Sequence, residues 1–183
     1  MRLFTAVDPP AEVLDNLERI LISLRPTARL RWSPVENLHL TLKFIGEWPE
    51  SRLDQLRHAL AGLQATARFS VQVTGLGFFP NARTPQVFWA GIAPSAELKA
   101  LAGRVDEAVE PLGIPHEKRL YSPHLTLARI GHRQPVGALR QAIDGLASVE
   151  FGAFTPDCFY LYESRKGPGG STYARVGEFR NFV

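Results

Sequence analysis

HLTLKFIG (residues 39–46) and HLTLARIG (residues 124–131) are identical at six of eight positions, and how this doublet is read decides the fold. A strand turns alternate side chains to opposite faces, so His39 and Thr41 point one way and Leu40 and Leu42 the other. The second copy does the same with His124 and Thr126 against its leucines. At ~3.3 Å rise per residue, histidine and threonine stand about 7 Å apart at Cα, a spacing that admits an anion between them. Core packing accounts for the repeated leucines. It does not account for a repeated polar histidine and threonine on the other face.

Outward from the motifs the similarity continues. FTAVDPPAEVLDNL from Phe4 aligns with FWAGIAPSAELKAL from Phe88, and the distance to the motif histidine is 35 residues in one copy and 36 in the other. Each segment reads as a strand, a proline turn and an amphipathic helix. The first helix starts at Ala11 and carries its apolar stripe on Val13, Leu14, Leu17, Ile20, Leu21 and Leu24. The second has Ser95 as N-cap, a stripe on Leu98, Leu101, Ala102 and Val105, and an end near Pro111 and Gly113. Shorter helices are predicted over residues 50–63 and 136–146. Strand-like runs follow each: FSVQVTGLGFF with QVFWAGI, then FTPDCFYLYES with STYARVGEF. The order is β-α-β-α-β-β, repeated with shared strands. It predicts an α+β fold of two pseudo-twofold lobes, with antiparallel or mixed sheets, helices on the outer faces and a central cleft. One folded unit over residues 1–183 is expected, with motif one at residues 39–42 and motif two at residues 124–127.

Composition bounds the function classes. With 45% hydrophobic and 21% charged residues, no segment is polar enough to stay unfolded. No apolar run approaches the ~20 residues of a membrane span, and the start, MRLFTAVDPP, lacks the flanks of a signal peptide. The single cysteine, Cys158, leaves no disulfide or Cys-rich metal framework, so a soluble cytoplasmic protein is expected. The net charge of +3 favours acidic or phosphorylated ligands, and the basic residues cluster near the motifs. Arg25, Arg29 and Arg31 precede the first, Lys118 and Arg119 precede the second, and Arg129 and Arg133 follow it.

A pseudo-twofold axis would gather His39, Thr41, His124 and Thr126 around one cleft. One neutral and one protonated imidazole make a base and an acid, and threonine hydroxyls donate to phosphate oxygens. That set serves in-line displacement at phosphorus. Zinc is disfavoured, because neither motif has a second histidine or a carboxylate at i+2 or i+4. No metal and no cofactor are expected. His58, His116 and His132 read as surface residues, and neither a nucleophile elbow nor a Walker loop is present. The glycine-rich residues 165–171 read as a hairpin turn, with a backbone phosphate cradle as the alternative.

On these residues the chain resembles the two-histidine (2H) phosphoesterase superfamily with its paired H-x-T-x motifs, here HLTL at His39 and HLTL at His124. Within it the likeness is to the RNA 2′,3′-cyclic phosphodiesterases, historically called 2′-5′ RNA ligases. RLFTAVDPP, NLHLTLKFIG, VFWAGI, YSPHLTLARIG, LYES and STYARV carry it over nearly the whole chain. The resemblance implies hydrolysis of a terminal 2′,3′-cyclic phosphate to a 2′-phosphate without metal or cofactor. It implies His39 as proton donor, His124 as proton acceptor, Thr41 and Thr126 on the phosphate oxygens, Arg129 balancing phosphate charge and Phe44 against the base or ribose. The implied partner is RNA with cyclic phosphate ends, tRNA fragments among them, with weak reversible 2′-5′ ligation when a 5′-hydroxyl replaces water; a monomer is expected. Two alternatives stay open: a small substrate such as an ADP-ribose cyclic phosphate, or a non-catalytic RNA-binding module. Phe44 and Arg129 lie five residues after their histidines, which on an unbroken strand reverses the face, so a bulge or a strand end is needed.

Overall fold

A computed structural model describes residues 1–167 and 170–183. The strands are β1 (Arg2–Val7), β2 (Arg31–Trp32), β3 (Leu40–Glu47), β4 (Val71–Phe79), β5 (Val87–Ile92), β6 (His124–Arg129), β7 (Glu150–Phe154), β8 (Phe159–Gly167) and β9 (Gly170–Phe179). The helices are α1 (Ala11–Leu24), α2 (Leu53–Ala61), α3 (Ala96–Val109) and α4 (Gly137–Asp144). Among the described residues the nine strands form one sheet in the order β7-β4-β5-β6-β3-β1-β8-β9, with β2 laid against β6. All the ladders between strands are antiparallel.

The sheet is two four-stranded halves meeting at a single residue pair, Leu40 opposite Leu125. One half is β3, β1, β8 and β9, and the other is β6, β5, β4 and β7. This is the α+β, two-lobed arrangement that the repeat predicts. The lobes, however, are not consecutive stretches of chain. α1 packs on β7 and α4 of the far lobe, where Asn16 Nδ2 donates to Phe151 O at 2.9 Å. α3 packs on β3 and α2. Each long helix therefore covers the sheet built around the other motif. The C-terminal hairpin returns to pair with β1.

Local chemistry explains most element bounds. Ser95 caps α3, its Oγ accepting from Leu98 N at 3.1 Å, and Gly113 (φ +90°) ends the following turn in the left-handed region. The stripe Val13, Leu17, Leu21 and Leu24 is fully covered, as the periodicity predicts. One strand reading is corrected. FTPDCFYLYES is not continuous: Phe154 closes β7 and Phe159 opens β8, because the intervening Thr155-Pro156 cannot extend the ladder. No helix among the described residues is long and apolar enough to cross a membrane.

Candidate active site

The pairing of Leu40 with Leu125, both fully buried, places the backs of the two motif strands in the core. The antiparallel register about that single pair relates His39 to Thr126 and Thr41 to His124 across the junction of the two halves. Each histidine is thus matched with the other motif's threonine. All four are half-buried on the face away from the leucines.

The imidazoles are held alike. His39 Nδ1 lies 2.8 Å from Asn37 O, and His124 Nδ1 lies 2.8 Å from Ser122 O. A carbonyl only accepts, so Nδ1 carries the hydrogen in each ring and Nε2 is the nitrogen left for chemistry. An aromatic ring stands edge-on to each: Tyr173 at 4.9 Å from His39, and Phe79 at 4.9 Å from His124. Phe4 also packs on His39, at 4.6 Å, and stands edge-on to Tyr173 at 5.3 Å.

Burial pushes the pKa of both histidines below the usual value, and the positive charge of Arg129 pushes the same way on each. Only His39 also has a carboxylate in its field, Asp8, which opposes that shift. Asp8 is fixed in turn, accepting from Tyr162 Oη at 2.6 Å and Arg175 Nη2 at 2.6 Å. The pair is alike in hydrogen bonding and unlike in charge.

Matching bulges bring Phe44 and Arg129 to the cleft. In β3 the ladder to β1 pairs Thr5 with Lys43 and Ala6 with Thr41, skipping Leu42; in β6 the ladder to β5 pairs Phe88 with Ala128 and Trp89 with Thr126, skipping Leu127. Leu42 and Lys43 both turn inward, as do Leu127 and Ala128, so the next residue in each strand returns to the histidine face. Phe44 is 59% exposed, which removes core packing as its role. Arg129 is exposed, and its charge reaches both histidines.

The other flagged residues fall elsewhere. Arg25 is taken by Glu18, at 2.6 and 2.7 Å. His58 sits exposed on α2 with Nδ1 2.7 Å from Asp54 O, and His132 is exposed in a turn. His116 is exposed but not idle, its Nδ1 lying 2.8 Å from Asp106 Oδ2. Of the glycine-rich residues 165–171, Pro168 and Gly169 lie outside the described residues, and the strands flanking them pair up to Gly167 opposite Gly170, as a hairpin requires. The sequence reading missed Asp8, Phe4, Phe79 and Tyr173 as neighbours of the histidines. Asp8-Pro9-Pro10 reads as a helix entry, and nothing local to it signals that the carboxylate acts on His39.

The family model described as LigT like Phosphoesterase matches the chain twice, over residues 7–89 and 91–173. A protein of Archaeoglobus fulgidus named RNA 2′,3′-cyclic phosphodiesterase is 32% identical over 98% of this chain and 99% of its own. One of the same name from Thermus thermophilus is 34% identical over 98% of this chain and 89% of its own. A crystal structure of a Thermus thermophilus protein superposes with a TM-score of 0.79 at 33% identity, covering 99% and 98% of the two chains. E. coli LigT complexed with 3′-AMP shares the fold, with a TM-score of 0.77 at 24% identity over 97% and 96% of the chains.

Proposed function

The chain belongs to the LigT-like phosphoesterase family, and from that premise we infer that it hydrolyses the 2′,3′-cyclic phosphate at the end of an RNA strand to a 2′-phosphate. The observation that carries the reading is the crossed quartet, in which two histidines offer Nε2 and each is matched across the junction with the other motif's threonine. His124 Nε2 takes a proton from water as its oxygen bonds to phosphorus. The bond from phosphorus to the 3′ oxygen breaks, and His39 Nε2 delivers its proton to that oxygen. One difference in charge supports this division of roles: Asp8 opposes the downward shift of His39, whereas no carboxylate does so at His124. Thr41 and Thr126 donate to the non-bridging oxygens, and Arg129 offsets their charge. Phe44, exposed and 6.2 Å from the Phe4 ring that packs on His39, offers a face to the terminal base or ribose. Attack by an RNA 5′-hydroxyl in place of water would follow the same steps, its oxygen bonding to phosphorus as the 3′ oxygen leaves, and would form a 2′-5′ linkage.

The test is to incubate the protein, with EDTA present, with a short RNA ending in a 2′,3′-cyclic phosphate and to identify the product by chromatography. A 2′-phosphate is expected, and His39→Ala and His124→Ala should each slow its formation by about 10²–10⁴-fold without unfolding the protein. A 3′-phosphate product, or near-wild-type rates in both variants, would end this reading.

A further inference from the structure

The two-residue strand β2 places Arg31 directly opposite Arg129 and Trp32 opposite Ala128. Opposed residues of an antiparallel pair project from the same face. Arg31 therefore stands on the histidine side of the sheet with Arg129, while Trp32 turns inward, edge-on to Phe88 at 6.0 Å with Nε1 donating to Ala28 O at 3.1 Å. The next residue pins the segment to motif two: Ser33 N donates to Leu127 O at 2.8 Å, and Ser33 Oγ to Thr126 O at 2.8 Å. Arg31 is thus presented from a fixed backbone.

Like charges directly across a ladder destabilise it. Among the described residues neither arginine makes an ion pair that would relieve the repulsion. An anion between the two guanidinium groups converts that cost into binding. The arginines are graded in position. Arg129 acts on both histidines, and Arg31 on neither. Arg31 lies along the same edge of β6 as motif one and stands opposite Arg129, three residues from Thr126 or about 10 Å at ~3.3 Å per residue, so its guanidinium meets the cleft beside the phosphate held by the quartet. The surroundings are basic as well: Arg29 and Arg133 are exposed on adjoining loops, which are tied by Gln134 Nε2 donating to Arg29 O at 2.7 Å.

We propose that Arg31, opposed by Arg129, binds the phosphodiester on the 5′ side of the terminal nucleotide, so that the cleft selects the end of an RNA strand over a cyclic mononucleotide. The proposal rests on the phosphodiesterase reading above and adds a second phosphate subsite to it.

Steady-state kinetics on adenosine 2′,3′-cyclic phosphate and on a trinucleotide ending in the same cyclic phosphate test it. Arg31→Ala should raise KM for the trinucleotide about tenfold and lower the slope of log KM against log salt by about one, with a loss on the mononucleotide at least about five times smaller. Equal losses on both substrates, or none on the trinucleotide, overturn it. Fluorescence anisotropy of a labelled trinucleotide carrying a 2′-phosphate reads the subsite without turnover. If the wild-type protein turns over neither cyclic substrate, the phosphodiesterase reading fails by itself. The subsite then stands if Arg31→Ala weakens this binding and falls if it does not. Because the substitution removes a repulsion, the thermal midpoint should hold or rise; a fall together with losses on both substrates would mark Arg31 as structural.

Discussion

Two histidines that the sequence presents as interchangeable become different at the scale of the residue. Burial and Arg129 lower the pKa of both, and Asp8 restrains the shift at His39 alone. If His39 must be charged and His124 neutral, kcat/KM follows a bell whose limbs belong to the pair. With both values depressed in the free cleft, its optimum lies on the acid side of about 6.5 and activity falls through neutrality. A bound phosphate anion favours a charged His39, so the kcat profile should sit at higher pH than that of kcat/KM. Rate profiles over pH 4.5–8.5 check both statements, and a kcat/KM optimum above 7 would contradict the burial argument. Stability carries the same sign. The unfolded chain, with histidines near 6.5, binds more protons than the folded one as pH falls below about 6.5. Unfolding should become easier on acidification through the folded pKa values, and less so in His39→Asn. The quartet itself was legible from alternation and repetition. Asp8 and Tyr173 were not: they reach His39 from the end of β1 and from β9, through packing that no short-range pattern encodes.

At the scale of the element, the paired bulges decide which side chains see the cleft, and parity alone said only that some interruption was needed. Nothing in Leu42-Lys43 or Leu127-Ala128 announces a bulge, since each is an ordinary strand dipeptide. In β3 the inward-turned residue is a lysine, and the fold accommodates it with a built ion pair. Lys43 is 5% exposed, pairs with Asp106 of α3 and donates to Pro115 O at 2.7 Å. Asp106 also holds His116 and the backbone N–H of Glu117, so this pair fastens motif one to the segment that leads into motif two. Burial opposes ionisation of Asp106, yet Lys43 and His116 hold its carboxyl below the usual range. Removing the carboxylate strands a buried ammonium, and Asp106→Ala should cost about 3 kcal/mol in urea unfolding. Lys43→Ala combined with Asp106→Ala should cost less than Asp106→Ala alone, because the equivalent position in the second motif is already Ala128. A loss below about 1 kcal/mol for the single variant would show that the pair is solvated and not a fastening.

For the whole molecule, the repeat in the sequence invites a division into two sequential lobes, and the topology refuses it. Hydrophobic periodicity told which face of α1 and α3 is buried but not which sheet buries it, since both sheets present equivalent apolar surfaces. The exchange has a folding consequence. A fragment of residues 1–85 contains β1 and β3 but lacks α3 to cover them and β8 to pair with β1, while its own α1 and β4 are left without β7 and β5. Residues 86–183 have the complementary deficits, with α3 stripped of β3 and the hairpin β8–β9 stripped of β1. Neither half can bury a continuous core, and a sheet edge left unpaired is open to aggregation. Each fragment alone should therefore lack near-ultraviolet circular dichroism and show no cooperative unfolding, whereas refolding them together should recover both. Activity should return with the pair as well, because His39 and His124 then come from different chains across the Leu40–Leu125 contact. Cooperative unfolding of either fragment by itself would mean that one lobe is self-sufficient, and that the exchanged helices decorate two independent sheets and do not bind them into one cleft.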